Sequence, residues 1–186
     1  MDTVQKLSGQ TRFLHWVVAL GMIMMLASGI YMHETKAYGL YFWHKSFGVL
    51  LIAFVLWRIY WRLKNGWPQP VRPLKNYEAI LSRSVHWLLI VGTILMPISG
   101  MMMSGLGGHG VPFFGIELIA RNPDPADPQK VIALNATFAG IGKTLHGVGG
   151  TLIIAAVLLH FAAALKHHFV DQDSTLSRML GRHRSR

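Results

Sequence analysis

No cysteine occurs among the 186 residues, which excludes disulfides, iron–sulfur clusters and any thiolate-held metal. A metal here can be held only by histidine, methionine or carboxylate. Charge is scarce too. Asp, Glu, Lys and Arg make up 14% of the chain, where soluble domains carry about 25%. Acid is scarcest, with eight Asp and Glu against 18 Lys and Arg, for a net charge of +10. A basic balance can signal nucleic acid. These basic residues flank apolar runs, however, which points to cytoplasmic loops and anionic lipid headgroups and to no nucleic-acid partner. No A-x-A-like cleavage site closes the first apolar run, and at about 20 residues that run exceeds a signal-peptide core, so it is expected to remain as a spanning helix.

What fills the chain is apolar: 52% hydrophobic residues and a mean hydropathy of +0.36. Four segments reach the length of about 20 residues needed to cross the hydrocarbon: roughly Phe13–Met32, Phe42–Leu63, Val85–Ser104 and Ile141–Leu165. A Pro-rich connection, NGWPQPVRPLKNYEAILSRS, separates the second from the third. The stretch of about 105–140 separates the third from the fourth, and its FFGIELIA piece, too short to span, is expected as a short surface helix. With four spans both termini share a side. Thirteen of the 18 basic residues fall there, Arg184 and Arg186 included, and five, Lys36, Lys45, Arg121, Lys130 and Lys143, on the other. The positive-inside rule then places both termini in the cytoplasm and, if the host is a Gram-negative bacterium, the stretch of about 105–140 in the periplasm. The expected fold is an all-α membrane protein: a single domain over 1–186, an up-down four-transmembrane-helix bundle with its surface helix in the periplasmic loop between helices three and four. Trp16, Trp57, Trp61, Trp67 and Trp87 fit an interfacial aromatic belt at the cytoplasmic ends.

Ten histidines remain as metal ligands. His146 and His160, on the fourth segment, are about 40° from a shared helical face and about 21 Å apart along the axis. A membrane helix that holds one axial ligand for each of two stacked haems needs such a pair. Chain direction supplies their partners. His15, opening the first segment, matches the cytoplasmic depth of His160, and His44, opening the second, matches the periplasmic depth of His146. Two bis-histidine levels in a four-helix bundle are a di-haem b arrangement, with the cofactor held between facing helices. A lone intramembrane histidine is as readily a satisfied polar residue; four at matched depths favour ligation of haem iron by His15, His44, His146 and His160. Gly48, Gly147, Gly149 and Gly150 follow these residues and suit either a macrocycle against the backbone or plain helix packing.

Other residues have weaker claims. His33 ends the first segment and is too shallow to replace His44. His86 shares the depth of His15 and His160 and suits a substrate pocket. His167 lies toward the membrane surface, with His168 and His183 in solvent, and His109 has no assigned role. Arg58 and Arg62 either snorkel or bond haem propionates, and Lys45 and Lys143 are their counterparts on the other side. Met101, Met102 and Met103 are read as apolar filling, and Pro97 as a kink that shapes helix three.

TRFLHW, HKSFGVLL with RIYWRL, HWLLIVGTILMPISG, and LHGVGG with LLHFAAALKHHFVDQDSTLSRM together resemble the bacterial cytochrome b561 family, over nearly the whole chain. The resemblance implies a four-helix inner-membrane protein with two b haems that exchanges electrons with ubiquinone, and, in at least one member, superoxide as periplasmic donor. It places the family's ligands on the same four histidines. On that reading His86, His167 and His168 become candidate quinone contacts, because histidine relays protons near neutral pH. Lys36, Lys45, Arg121, Lys130 and Lys143 become a positive funnel for a small anion. The alternatives are a haem-bearing membrane anchor for a periplasmic dehydrogenase or hydrogenase, and a histidine-lined metal or small-solute transporter.

Overall fold

A computed structural model describes residues 2–4 and 6–182. His183, Arg184 and Arg186 lie outside the described residues. Four long helices carry the chain: α1 Gly9–Thr35, α2 Tyr41–Asn65, α3 Asn76–Leu106 and α4 Ala136–Phe169. A fifth, α5, is short, Thr175–Met179. Each long helix is apolar and long enough to cross a membrane, and each outruns its expected span because polar end turns are helical as well. Ser8 caps α1 by accepting from the Thr11 N–H at 3.2 Å, and Asn135 caps α4 by accepting from the Phe138 N–H at 3.1 Å. Side chains of this kind satisfy amide donors that have no partner inside the helix. At its far end α1 stops at Lys36, whose φ of 57° is left-handed.

The expected surface helix is not there. Residues 111–131 form two antiparallel hairpins: β1 Val111–Phe113 with β2 Ile116–Ile119, and β3 Pro123–Asp124 with β4 Asp127–Val131. Phe114 (φ 48°) and Gly115 (φ 99°) make the first turn with positive φ at both central positions. That geometry matches the twist of a two-residue hairpin, and the apolar piece is too short, with a glycine in its middle, to hold a helix against it. The second turn is tied by Asp124, whose carboxylate accepts from the Ala126 N–H at 2.8 Å.

The hairpins sit on one end of the bundle. Ser46 on α2 accepts from the Phe114 N–H at 3.1 Å, and Ser104 on α3 donates to the Gly110 carbonyl at 2.7 Å. The bundle is built unevenly. α3 lies closely along α4 and α1 along α2, whereas α1 and α4 face each other across a gap with little backbone approach. Glycines permit the closeness of α3 and α4. A Cβ on Gly142 would stand 2.7 Å from the Met103 nitrogen, and one on Gly92 2.6 Å from the Ile153 side chain. Gly149 and Gly150 also face α3, at Met96, while Gly147 faces open space. Mid-bundle, Val18, Met22, Leu51, Val55 and Ile153 form the buried core.

Candidate functional site

The gap between the helix pairs is bridged by histidine rings at two levels. At the hairpin end, the outer level, His44 on α2 faces His146 on α4 with ring centroids 6.3 Å apart. At the opposite, inner level, His15 on α1 faces His160 on α4 at 6.2 Å. These separations test whether a metal fits. Two metal–imidazole bonds of about 2 Å each, with the two half-rings, add to roughly 6 Å, so both pairs are spaced to take a metal ion between them. His86 also approaches His160, at 5.2 Å and nearly perpendicular. That distance is too short for a shared metal and describes an edge-to-face contact.

The walls beside His44 are apolar. A cavity of about 220 Å³ lies on the α1 and α2 side of this ring, lined by Val17, Gly21, Met25, Trp43, Phe47 and Leu51. A Cβ on Gly29 would lie 3.6 Å from the His44 ring, and one on Gly100 3.1 Å from the His146 ring. Gly100 therefore lets the His146 ring lie against α3. Between the levels stands the aliphatic core. Met22 is seven residues from His15, Leu51 seven from His44, and Ile153 seven from both His146 and His160. Seven residues return a helix to within about 20° of the same face, about 10 Å along, so each histidine has a core residue midway to the other level.

The outer rings are anchored at Nδ1. His44 Nδ1 lies 2.9 Å from Ser28 Oγ, and His146 Nδ1 lies 2.9 Å from the Met96 carbonyl and 3.2 Å from Ser99 Oγ. Inner-level His15 Nδ1 instead meets Arg58 Nη2 at 3.3 Å. Neither serine was singled out in the sequence. The available signal was a hydroxyl on an otherwise apolar helix at the depth of a histidine.

The remaining candidates are committed to varying degrees. Arg62 is buried and donates to Asp2 at 3.0 Å, to Thr11 and to the Gly66 carbonyl, so it turns to the chain terminus rather than to the gap. Lys45 donates to the His109 and Gly110 carbonyls at 3.3 and 3.2 Å and so holds the loop. Lys143 is exposed on α4. Of the other expected funnel cations, Lys36 donates to the His33 carbonyl, Arg121 to the Gln129 carbonyl, and Lys130 pairs with Asp127. His109 has its proton affinity lowered by burial and then by Lys45 and Arg121.

His86 uses Nδ1 on the Ser82 carbonyl at 2.7 Å, which leaves its other nitrogen for a ligand. His167 Nδ1 lies 3.0 Å from Asp171 and 2.9 Å from Asp173. These three could hold a cation, but Arg72 and Lys166 already neutralise the carboxylates. His168 is partly buried rather than solvated, and its Nδ1 has no hydrogen-bond partner among the described residues. Trp57, Trp67 and Trp87 are exposed as a belt requires. Trp16 and Trp61 instead donate inward, to the Met179 carbonyl and to Thr11.

Among known proteins, the family profile described as prokaryotic cytochrome b561 matches residues 6–182. The chain is 30% identical to cytochrome b561 homolog 2 of Escherichia coli (strain K12) over 173 residues, covering 90% of this chain and 87% of that one. It is 27% identical to the probable superoxide oxidase CybB of Yersinia pestis over 176 residues, covering 92% and 93%.

Proposed function

This chain belongs to the prokaryotic cytochrome b561 family, and from that premise we propose that it carries electrons across the membrane between two haem b groups, from a donor at the outer face to ubiquinone at the inner. It is a multi-pass protein of the bacterial inner membrane, in a family that binds haem b and transfers electrons. The observation that carries the two-haem reading is the pair of histidine levels, His44 with His146 and His15 with His160, at 6.3 and 6.2 Å. Bound haem would supply reversible one-electron chemistry at each level. His44 with His146 and His15 with His160 would hold the two groups, the aliphatic layer around Ile153 would keep water out between them, and the cations at each end would set the local charge.

Superoxide is the proposed donor, by similarity to a relative that carries that name. Each superoxide gives up one electron and leaves as O₂. Two such electrons with two protons convert ubiquinone to ubiquinol. No protein nucleophile is required. The outer face has only to draw in a small anion, for which Lys36, Lys45, Lys143, Arg121 and Lys130 supply positive potential even where they are hydrogen-bonded locally. Lys143 is a candidate propionate partner, as is Arg58 through the guanidinium nitrogens that do not face His15, while Arg62 and Lys45 have other partners. At the inner face, His86 has a ring nitrogen free to meet a quinone oxygen; His168 is a second contact, and His167 is held by carboxylates.

The test begins with a dithionite-reduced spectrum of the purified protein, where low-spin b haem at two per chain is expected. A pulse of superoxide with ubiquinone present should reduce the haem and then yield ubiquinol. Haem that stays oxidised through the pulse would remove superoxide as donor. A second reading, an anchor for a periplasmic redox partner, draws on one observation: β2 exposes Ile116 and Leu118 at 63% and 51% beyond the bundle end, an apolar face a partner could cover. Co-purification of a second redox subunit would favour it.

A further inference from the structure

The two histidine levels are not equivalent, and the difference lies in what faces Nδ1. Ser28 donates its hydroxyl hydrogen to the Met25 carbonyl at 3.0 Å. Its oxygen, 2.9 Å from His44 Nδ1, is then free to accept from Nδ1–H, the tautomer that leaves Nε2 for a metal. Ser99 repeats the device from the other side of the gap. It donates to the Met96 carbonyl at 3.0 Å and accepts from His146 Nδ1 at 3.2 Å, while that carbonyl accepts from the same nitrogen at 2.9 Å. The Met96 carbonyl thereby fixes His146 in the tautomer that leaves Nε2 with its lone pair, and Ser28 supports the same tautomer at His44. At the inner level a cation stands where the acceptor would be. With Nε2 of His15 left for a metal, Nδ1 carries the hydrogen, and the guanidinium of Arg58, 3.3 Å away, has no lone pair to accept it. Among the described residues no acceptor faces a ring nitrogen of His15 or His160.

We propose that Ser28 and Ser99 are positioning residues for His44 and His146, and that by accepting from Nδ1–H they make the outer level the lower in redox potential, with Arg58 raising the inner one. The inference rests on the two-haem reading above. An acceptor on the distal N–H makes an imidazole ligand more basic and favours the oxidised metal, whereas a nearby cation favours the reduced one; hydrogen bonding around the axial ligand is an established lever on haem potential. The gradient runs downhill from the hairpin end to the other. The two serines thus give the chain a preferred direction, which two equally spaced pairs alone do not.

The experiment is a spectroelectrochemical titration of the purified, haem-loaded full chain, with haem content measured alongside. Two transitions are expected. Ser28→Ala should move the lower one upward and leave the upper in place. Ser99→Ala should do the same to a smaller extent, because the Met96 carbonyl still accepts from His146. Ser28→Thr, which keeps the hydroxyl, should restore the original value. Arg58→Gln should move the upper transition downward. Serine variants that bind two haems and leave the lower transition where it was, or that move the upper one, would overturn this proposal and leave the two-haem reading intact. Wild-type protein with fewer than two haems would overturn both.

Discussion

At the scale of single residues, Ile153 is where the two sites meet. It is fully buried, seven residues from each histidine of α4, and its side chain fills the space that Gly92 leaves on α3. Its Cγ1 and Cδ1 would each stand 2.6 Å from a Cβ on Gly92. Ile153→Ala should therefore leave a cavity that α3 and α4 cannot close, at a cost of about 2–5 kcal/mol. Haem content at both levels should persist, because no histidine moves with it. Thermal unfolding followed by the haem band checks this, and an unchanged midpoint would show that the core collapses around the deletion. The histidine positions themselves were legible in the sequence, since depth follows from chain direction and a spacing of fourteen. The serines were not: a hydroxyl on an apolar helix satisfies its own turn as readily as a neighbour's ring, and only the distances to Nδ1 distinguish the two.

At the scale of elements, the four helices were legible because each holds an apolar run long enough to cross the bilayer. The hairpins were not. FFGIELIA reads as an apolar patch, and the strands depend on a turn with positive φ at Phe114 and Gly115, together with anchors far away in sequence. Lys45 is the chief of these, with two carbonyls of the 109–110 turn on its ammonium group, while Ser104 donates to one of the same two. Lys45→Met removes the donor and keeps most of the stem. It should speed amide exchange across 109–119 several-fold, an opening of about 1 kcal/mol, without altering exchange in mid-α2. Exchange left unchanged in the hairpin would assign its order to the packing of Phe114 on Trp43 and Phe47 instead.

At the scale of the whole molecule, the inner end is closed by charge pairs that draw remote parts of the chain into one floor. Asp2 pairs with Arg62, Arg72 with Asp171, and Lys166 with both Glu78 and Asp171. Arg178 donates to the Val4 and Gln69 carbonyls at 2.8 and 3.0 Å and so brings α5 under the bundle. Charge counting put the basic residues on this side; it did not show that half of the chain's eight acids gather there to meet them. Those acids set a pH limit. The hydrogen bond from Lys166 holds the Asp171 carboxyl below its ordinary value, against some desolvation, with help from Arg72. Burial alone would raise Asp173, but hydrogen bonds from Thr175 and the neighbouring His167 outweigh it, so it too is lowered. A carboxyl depressed in the folded state stabilises fully above its unfolded value, here 3.8, and that contribution disappears as pH falls through the lower folded value. The floor should therefore hold unchanged from neutral pH to about pH 5 and loosen as pH drops toward about 3. Amide exchange of residues 171–182, corrected for intrinsic rate, should show protection lost over that interval while mid-bundle amides stay protected. Asp171→Asn should lose part of the same protection already at neutral pH. Protection that survived acid in the wild type would mean that α5 is held by its packing and by the Arg178 bonds to backbone carbonyls, which do not titrate in this range.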